Sequence, residues 1–114
     1  MIIVTGRISV DPASVDELLD DLRAGINRSL AETGCQFYSF AMEDPAAGHI
    51  LTLQIWRDEA ALANHLAAPA IGELVDKWDG RYNVGTKFYD VTNERAVGVW
   101  NNQALGKMVS ASRS

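Results

Sequence analysis

The stretch that decides the fold runs from Gly34 to Trp78: GCQFYSFAMED (34–44), then PAAG (45–48), then HILTLQIWRDEAALANHLAAPAIGELVDKW (49–78). Two strand-like runs, residues 35–43 and 49–57, flank Asp44-Pro45-Ala46-Ala47-Gly48, whose turn chemistry is spaced for a hairpin. The two runs are therefore expected to pair antiparallel. In the first, Cys35, Phe37, Ser39 and Ala41 alternate with Gln36, Tyr38, Phe40 and Met42. In the second, Leu51, Leu53 and Ile55 oppose Ile50, Thr52, Gln54 and Trp56. Neither face is uniformly polar, so both are expected to meet apolar surface. Asp58 opens a helix that carries Leu62, His65 and Leu66 on related faces. Pro69 interrupts it before Ile71, Leu74, Val75 and Trp78 continue the stripe, which predicts a kinked or two-part helix.

Upstream, residues 2–10 are β-branched and alternating, with Ile2, Val4, Gly6, Ile8 and Val10 on one face, and predict a first strand. Asp11-Pro12 suits a helix entry, because the aspartate accepts from free backbone N–H groups and proline at the first position needs no donor. Ser14 with Glu17 offers an alternative capping box. Val15, Leu18, Leu19, Leu22, Ile26 and Leu30 then recur at helical spacing, and Gly34 ends the element. Downstream, the Asp79-Gly80 turn precedes a last strand over residues 83–92. Residues 95–114 form a docking tail that the core does not require: Val97, Val99, Trp100 and Leu105 are placed to dock, and the final Ser-Ala-Ser-Arg-Ser is expected to fray.

The order β-α-β-β-α-β is that of a split βαβ, a ferredoxin-like α+β domain over residues 1–94 with an antiparallel sheet and both helices on one face. The opposite face carries Leu, Phe, Tyr and Ile, too apolar to stand in water as one patch. A homodimer closed over that open sheet face is the expectation.

Composition narrows the function. At 114 residues the chain supports one core, and no apolar run is long enough to span a membrane as a helix. Met1-Ile2-Ile3-Val4 turns polar at Thr5, unlike a secretory leader, so a cytoplasmic location is expected. Ten basic against fifteen acidic residues give a charge of −5 with no basic cluster, which disfavours nucleic acid. Cys35 is alone, and His49 and His65 are too few and too far apart for a metal site. No glycine-rich strand-to-helix turn suggests a nucleotide cofactor. No metal and no cofactor are expected.

The runs G-C-Q-F-Y-S-F (34–40) and L-T-L-Q-I-W-R-D-E-A-A-L-A-N-H-L (51–66), followed by Pro69, resemble the antibiotic biosynthesis monooxygenase family, whose domains are dimeric α+β barrels. The resemblance covers residues 2–91 and implies an apolar pocket in which a small aromatic substrate, a phenol, hydroquinone or polyketide-like ring, meets O2 without a cofactor. Residue by residue it points to His65 of A-N-H-L for proton handling, with Tyr38 and Trp56 shaping and orienting the substrate. Some relatives degrade haem with a first-strand Asn, a Trp and a His. This chain offers Gly6, His65 and Val75 there, and haem degradation is not expected.

Each of those residues has a plainer reading. Trp56 at a strand end suits sealing the core, as does Tyr38. His65 beside Leu62 and Leu66 suits a packed, singly hydrogen-bonded histidine. Cys35 reads as a small buried apolar residue rather than a nucleophile. The functional alternative is a non-catalytic dimeric module that holds a small hydrophobic metabolite in the same cavity. The feature that separates the two is whether His65 and Tyr38 converge on one enclosed cavity.

Overall fold

The structure, a computed structural model, describes residues 1–98. Four strands, β1 (Ile2–Val10), β2 (Cys35–Asp44), β3 (His49–Trp56) and β4 (Tyr82–Asp90), form one antiparallel sheet in the order β2-β3-β1-β4. The helices are α1 (Val15–Ala24), α2 (Ile26–Leu30), α3 (Glu59–Leu66) and α4 (Pro69–Trp78), all on one side of the sheet. This is the ferredoxin-like α+β arrangement read from the sequence. No helix among the described residues is long and apolar enough to cross a membrane.

Register puts the core on the helix side. Val4 pairs with Gln54 and Phe88, and Ile8 pairs with Ile50 and Val84, so each row crosses the sheet on one face. Ile2, Val4, Ile8, Ile50 and Trp56 are buried there against Leu18, Leu19, Leu22 and Leu62 of the helices. The other face shows Phe37, Leu51, Leu53 and Tyr89, all exposed in the single chain.

Three details depart from the sequence reading. The first helix is not continuous: Asp11 caps a 3-10 turn over Pro12–Ser14, its carboxylate accepting from Ala13 N at 2.9 Å, and Gly25 separates α1 from α2. The alternative Ser14 capping box does not form, since Ser14 makes no side-chain cap bond. Cys35 does not share a face with Phe37. It pairs with Trp56 while Phe37 pairs with Ile55, so Gln36 is an extra residue in a bulge and Cys35 packs against the core.

The split of the second helical run is as expected. Asp58 caps α3 with Oδ1 accepting from Ala61 N at 2.9 Å, and Ala68 is extended (ψ 137°) before Pro69 starts α4. Trp78 then locks α4 onto α1. Its ring is fully buried and its indole N–H donates to Asp21 at 2.8 Å. Of the expected docking tail, residues 95–98 are exposed and lack regular structure, and the remainder, with Val99, Trp100 and Leu105, lies outside the described residues.

Candidate functional site

Gly34 does more than end the first helical segment. With φ +84° it turns the chain into β2, and a Cβ there would stand 2.6 Å from the Ala61 side chain. The turn therefore lies directly on the start of α3, tied further by Arg57 N donating to Gly34 O at 2.8 Å. His65 is one helical turn beyond Ala61, on the same face. The close approach at Gly34 thus carries Glu32, two residues earlier, to the His65 ring.

The contact is a paired one. Glu32 Oε2 and Oε1 lie 3.0 and 3.2 Å from His65 Nδ1. An ionised carboxylate only accepts, so Nδ1 carries the proton and Nε2 is left as the acceptor of the neutral ring. His65 is only 2% exposed. Burial lowers its pKa from the ordinary 6.5, against the opposing pull of the Glu32 carboxylate.

Aromatic rings seat the imidazole. Its centroid is 4.6 Å from the Trp56 ring and 5.2 Å from Tyr38, and Tyr38 meets Phe40 edge-on at 5.2 Å. The three residues singled out in the sequence therefore form one cluster although they come from β2, β3 and α3. Their positions differ, however. Tyr38 and His65 both line a cavity of about 230 Å³ between the sheet and the helices, whose walls include Val4, Leu62, Ile71 and Leu74. Trp56 stands behind that wall, fully buried, with its indole N–H donating to Gln54 Oε1 at 3.1 Å. Gln54 lines the cavity in its place.

The remaining polar groups of the cavity are few. Thr52 Oγ1 is already engaged, donating to the Ser39 carbonyl at 3.3 Å. Burial raises the Tyr38 pKa above 10.0, so the phenol keeps its proton at neutral pH and acts as a donor. Cys35 is pushed the same way by burial and stays a thiol, and His49 lies at the far end of β3 beside Glu43. The arrangement offers one imidazole acceptor, two phenols, Tyr38 and Tyr82, and the Gln54 amide in a chamber whose other walls are mainly apolar.

Glu32 was not legible as a partner of His65. They are separated by 33 positions, and periodicity places Glu32 only in a turn. The usable signal was Gly34: a glycine at the helix exit two residues from a carboxylate, before a strand that pairs with the one feeding α3.

The sequence profile of antibiotic biosynthesis monooxygenases matches residues 1–77. The uncharacterised protein sll1783 of Synechocystis sp. is 34% identical over 76 residues, which are 67% of this chain and 52% of that protein. The chain thus spans about half the length of the curated relative it matches. A structure from Deinococcus radiodurans, described as a candidate antibiotic biosynthesis monooxygenase, superposes with a TM-score of 0.75 at 21% identity over 84% of this chain and 97% of its own. Rv0793 from Mycobacterium tuberculosis does so with a TM-score of 0.73 at 22% identity over 83% and 98%. At these identities the structural likeness speaks for the fold.

Proposed function

Because this chain belongs to the antibiotic biosynthesis monooxygenase family, we propose that it is a cofactor-independent monooxygenase acting on a small phenol or hydroquinone in the cavity between sheet and helices. The observation that carries the reading is the Glu32-held His65 sharing that cavity with Tyr38. Convergence of those two residues also weighs against a purely binding role, in which nothing requires an oriented proton acceptor beside the ligand.

In this reading His65 Nε2 takes the hydroxyl proton of the substrate, and the Glu32 carboxylate stabilises the imidazolium that results. The phenolate, far more electron-rich than the phenol, supplies electrons to O2 itself. One oxygen atom bonds to the ring carbon, the O–O bond breaks, and the ring carbon gives up its hydrogen. A phenol plus O2 becomes a quinone plus water, with no external reductant. His65 returns its proton to the departing oxygen. Tyr38 donates to a substrate oxygen, Gln54 offers an amide, and Trp56 keeps the imidazole in register from behind. The apolar walls exclude water, which favours reaction of the phenolate over its hydration.

Two copies are proposed to pack through the exposed sheet face. Phe37, Ile55, Ile3 and Tyr89 form one row across all four strands, with Leu53 and Leu51 in the rows beside it. The deciding assay is O2 uptake by purified, metal-free protein with a panel of phenols and hydroquinones, wild type against His65→Ala at equal folded concentration. Turnover without added cofactor that falls about a hundredfold or more in the variant is the expected result, the usual scale of a lost general base. Ligand binding without O2 uptake across the panel would replace the oxygenase with a binding module.

A further inference from the structure

The inner cavity has a second chamber beside it. A cleft of about 260 Å³ lies between the α1–α2 segment and α4, and Leu22, Tyr38, Ile71 and Leu74 form the wall common to both. The chambers differ in character. The inner one is apolar, whereas the cleft is edged by Asp21, Arg28, Glu73 and Lys77. Neither alone reaches the roughly 300 Å³ at which ligand pockets begin, but joined across Tyr38 they fall inside the usual range.

The charges of the cleft are not equivalent. Lys77 is committed, its Nζ 2.7 Å from Asp21 and 3.4 Å from Glu17. Arg28 makes no ion pair with the described residues. Its guanidinium lies over Gly25, where a Cβ would come within 2.8 Å of Nη2, so the missing side chain at position 25 is what leaves the guanidinium its place. Behind burial and the opposing Glu32 carboxylate, the Arg28 charge is also felt at both Tyr38 and His65. The other flank of the cavity, by Leu62, Leu66 and Phe88, has the acids Glu59 and Asp90 at its edge instead. The cleft has acids of its own, Asp21 and Glu73, but it also has in Arg28 a cation outside the Lys77–Asp21 pair, which the other flank lacks.

We infer that the site is bipartite and takes an aromatic acid: the ring sits in the inner chamber beside His65, and a carboxylate on a short side chain reaches past Tyr38 to pair with Arg28. A planar guanidinium binds a carboxylate with two parallel hydrogen bonds, which fixes the ring's orientation as well as its affinity. The inference rests on the cavity assigned above as the reaction site and adds the substrate class.

The test is binding, without turnover, of matched pairs of hydroxyphenylpropionate and hydroxynaphthoate acids and their neutral amides, followed by calorimetry and by the NMR signals of His65 and Tyr38 under nitrogen. Each acid is expected to bind about tenfold tighter than its amide, with that preference shrinking as salt rises. Arg28→Gln is expected to abolish the preference while the amides bind as before. Gly25→Ala weakens it by displacing Arg28, since Gly25 has a right-handed φ of −92° that alanine accepts without strain. Equal binding of acid and amide by the wild type, an unchanged preference in Arg28→Gln, or no binding by any pair overturns the inference. O2 uptake with neutral phenols alongside equal binding would leave the oxygenase standing and remove only the acid.

Discussion

At the scale of single residues, the proposed chemistry turns on how one buried imidazole is held. His65 has two influences in opposition, burial lowering its pKa and Glu32 raising it, and burial prevails. The folded state therefore binds the His65 proton less readily than the unfolded chain does. Stability from this group is complete above about pH 6.5 and is lost as pH falls through the lower folded value. Glu32→Gln keeps an acceptor for Nδ1–H but removes the charge, so the His65 pKa is expected to fall further and the acid limb of the rate profile to move with it. The rate itself is expected to fall about tenfold or more, because nothing then stabilises the imidazolium. An NMR titration of the two histidines in wild type and variant checks the first part. A His65 pKa unmoved or raised by the substitution would mean that the carboxylate is not coupled to the ring in solution. The resemblance singled out His65 on its helix and Tyr38 on its strand, and the structure brings the two side by side. The Glu32 contact was not legible, because a contact made through a turn leaves no period in the sequence.

Among the elements, alternation and spacing were enough to place β1, the β2–β3 hairpin and the broken α3–α4 run, each carried by strong local signals such as Asp58, Pro69 and the Asp44–Gly48 turn. What escaped were features in which one glycine or one extra residue interrupts an otherwise regular pattern. Ile26 continues the amphipathic stripe in phase, so nothing in the periodicity marks the break at Gly25. The bulge at Gln36 reverses the side on which Cys35 lies without altering the alternation after it. Gly6 belongs to the same class. It sits in the middle of β1 with φ +147°, and a side chain there would strike the Gly85 carbonyl and stand 2.8 Å from the Thr86 Cα of β4. The strand with the sparsest cover is thus paired to β1 through a backbone approach that only glycine allows. Gly6→Ala is expected to destabilise by about 1–3 kcal/mol, from the strained backbone and the displaced strand. It should also loosen β4 ahead of the other strands. Urea melts measure the first effect and amide exchange along β4 the second; a variant as stable as wild type would mean that β4 is not held at this distance.

For the molecule as a whole, the two faces of the sheet call for different solutions. The inner face is covered by α1 to α4 except along β4, where Val84 and Phe88 stay exposed, and holds the cavity. The outer face has none of these helices over it, and its exposed Phe37, Leu51, Leu53 and Tyr89 extend over β2, β3 and β4. Scattered apolar residues are ordinary on a surface, but the row Phe37-Ile55-Ile3-Tyr89 runs strand to strand, and with Leu53 and Leu51 beside it makes a patch of the kind that marks an interface. A second copy is the proposed partner, because two such faces would bury each other's apolar row, with Arg7 and Lys87 in the rows beside it. A stable pair of this kind covers about 800 Å² on each partner, an area a four-stranded sheet can supply. Light scattering behind size exclusion is expected to give twice the chain mass at micromolar concentration. Leu53→Glu places a carboxylate in the middle strand of the patch next to Thr5 and Ser39, its register partners. In a two-fold assembly each substitution enters the interface twice, so a single change introduces two charges that must be desolvated together. The variant is expected to elute as a folded monomer with an unchanged far-ultraviolet spectrum, since position 53 faces away from the core. A wild type that remains monomeric at high micromolar concentration would show that the rows are covered by something other than this chain.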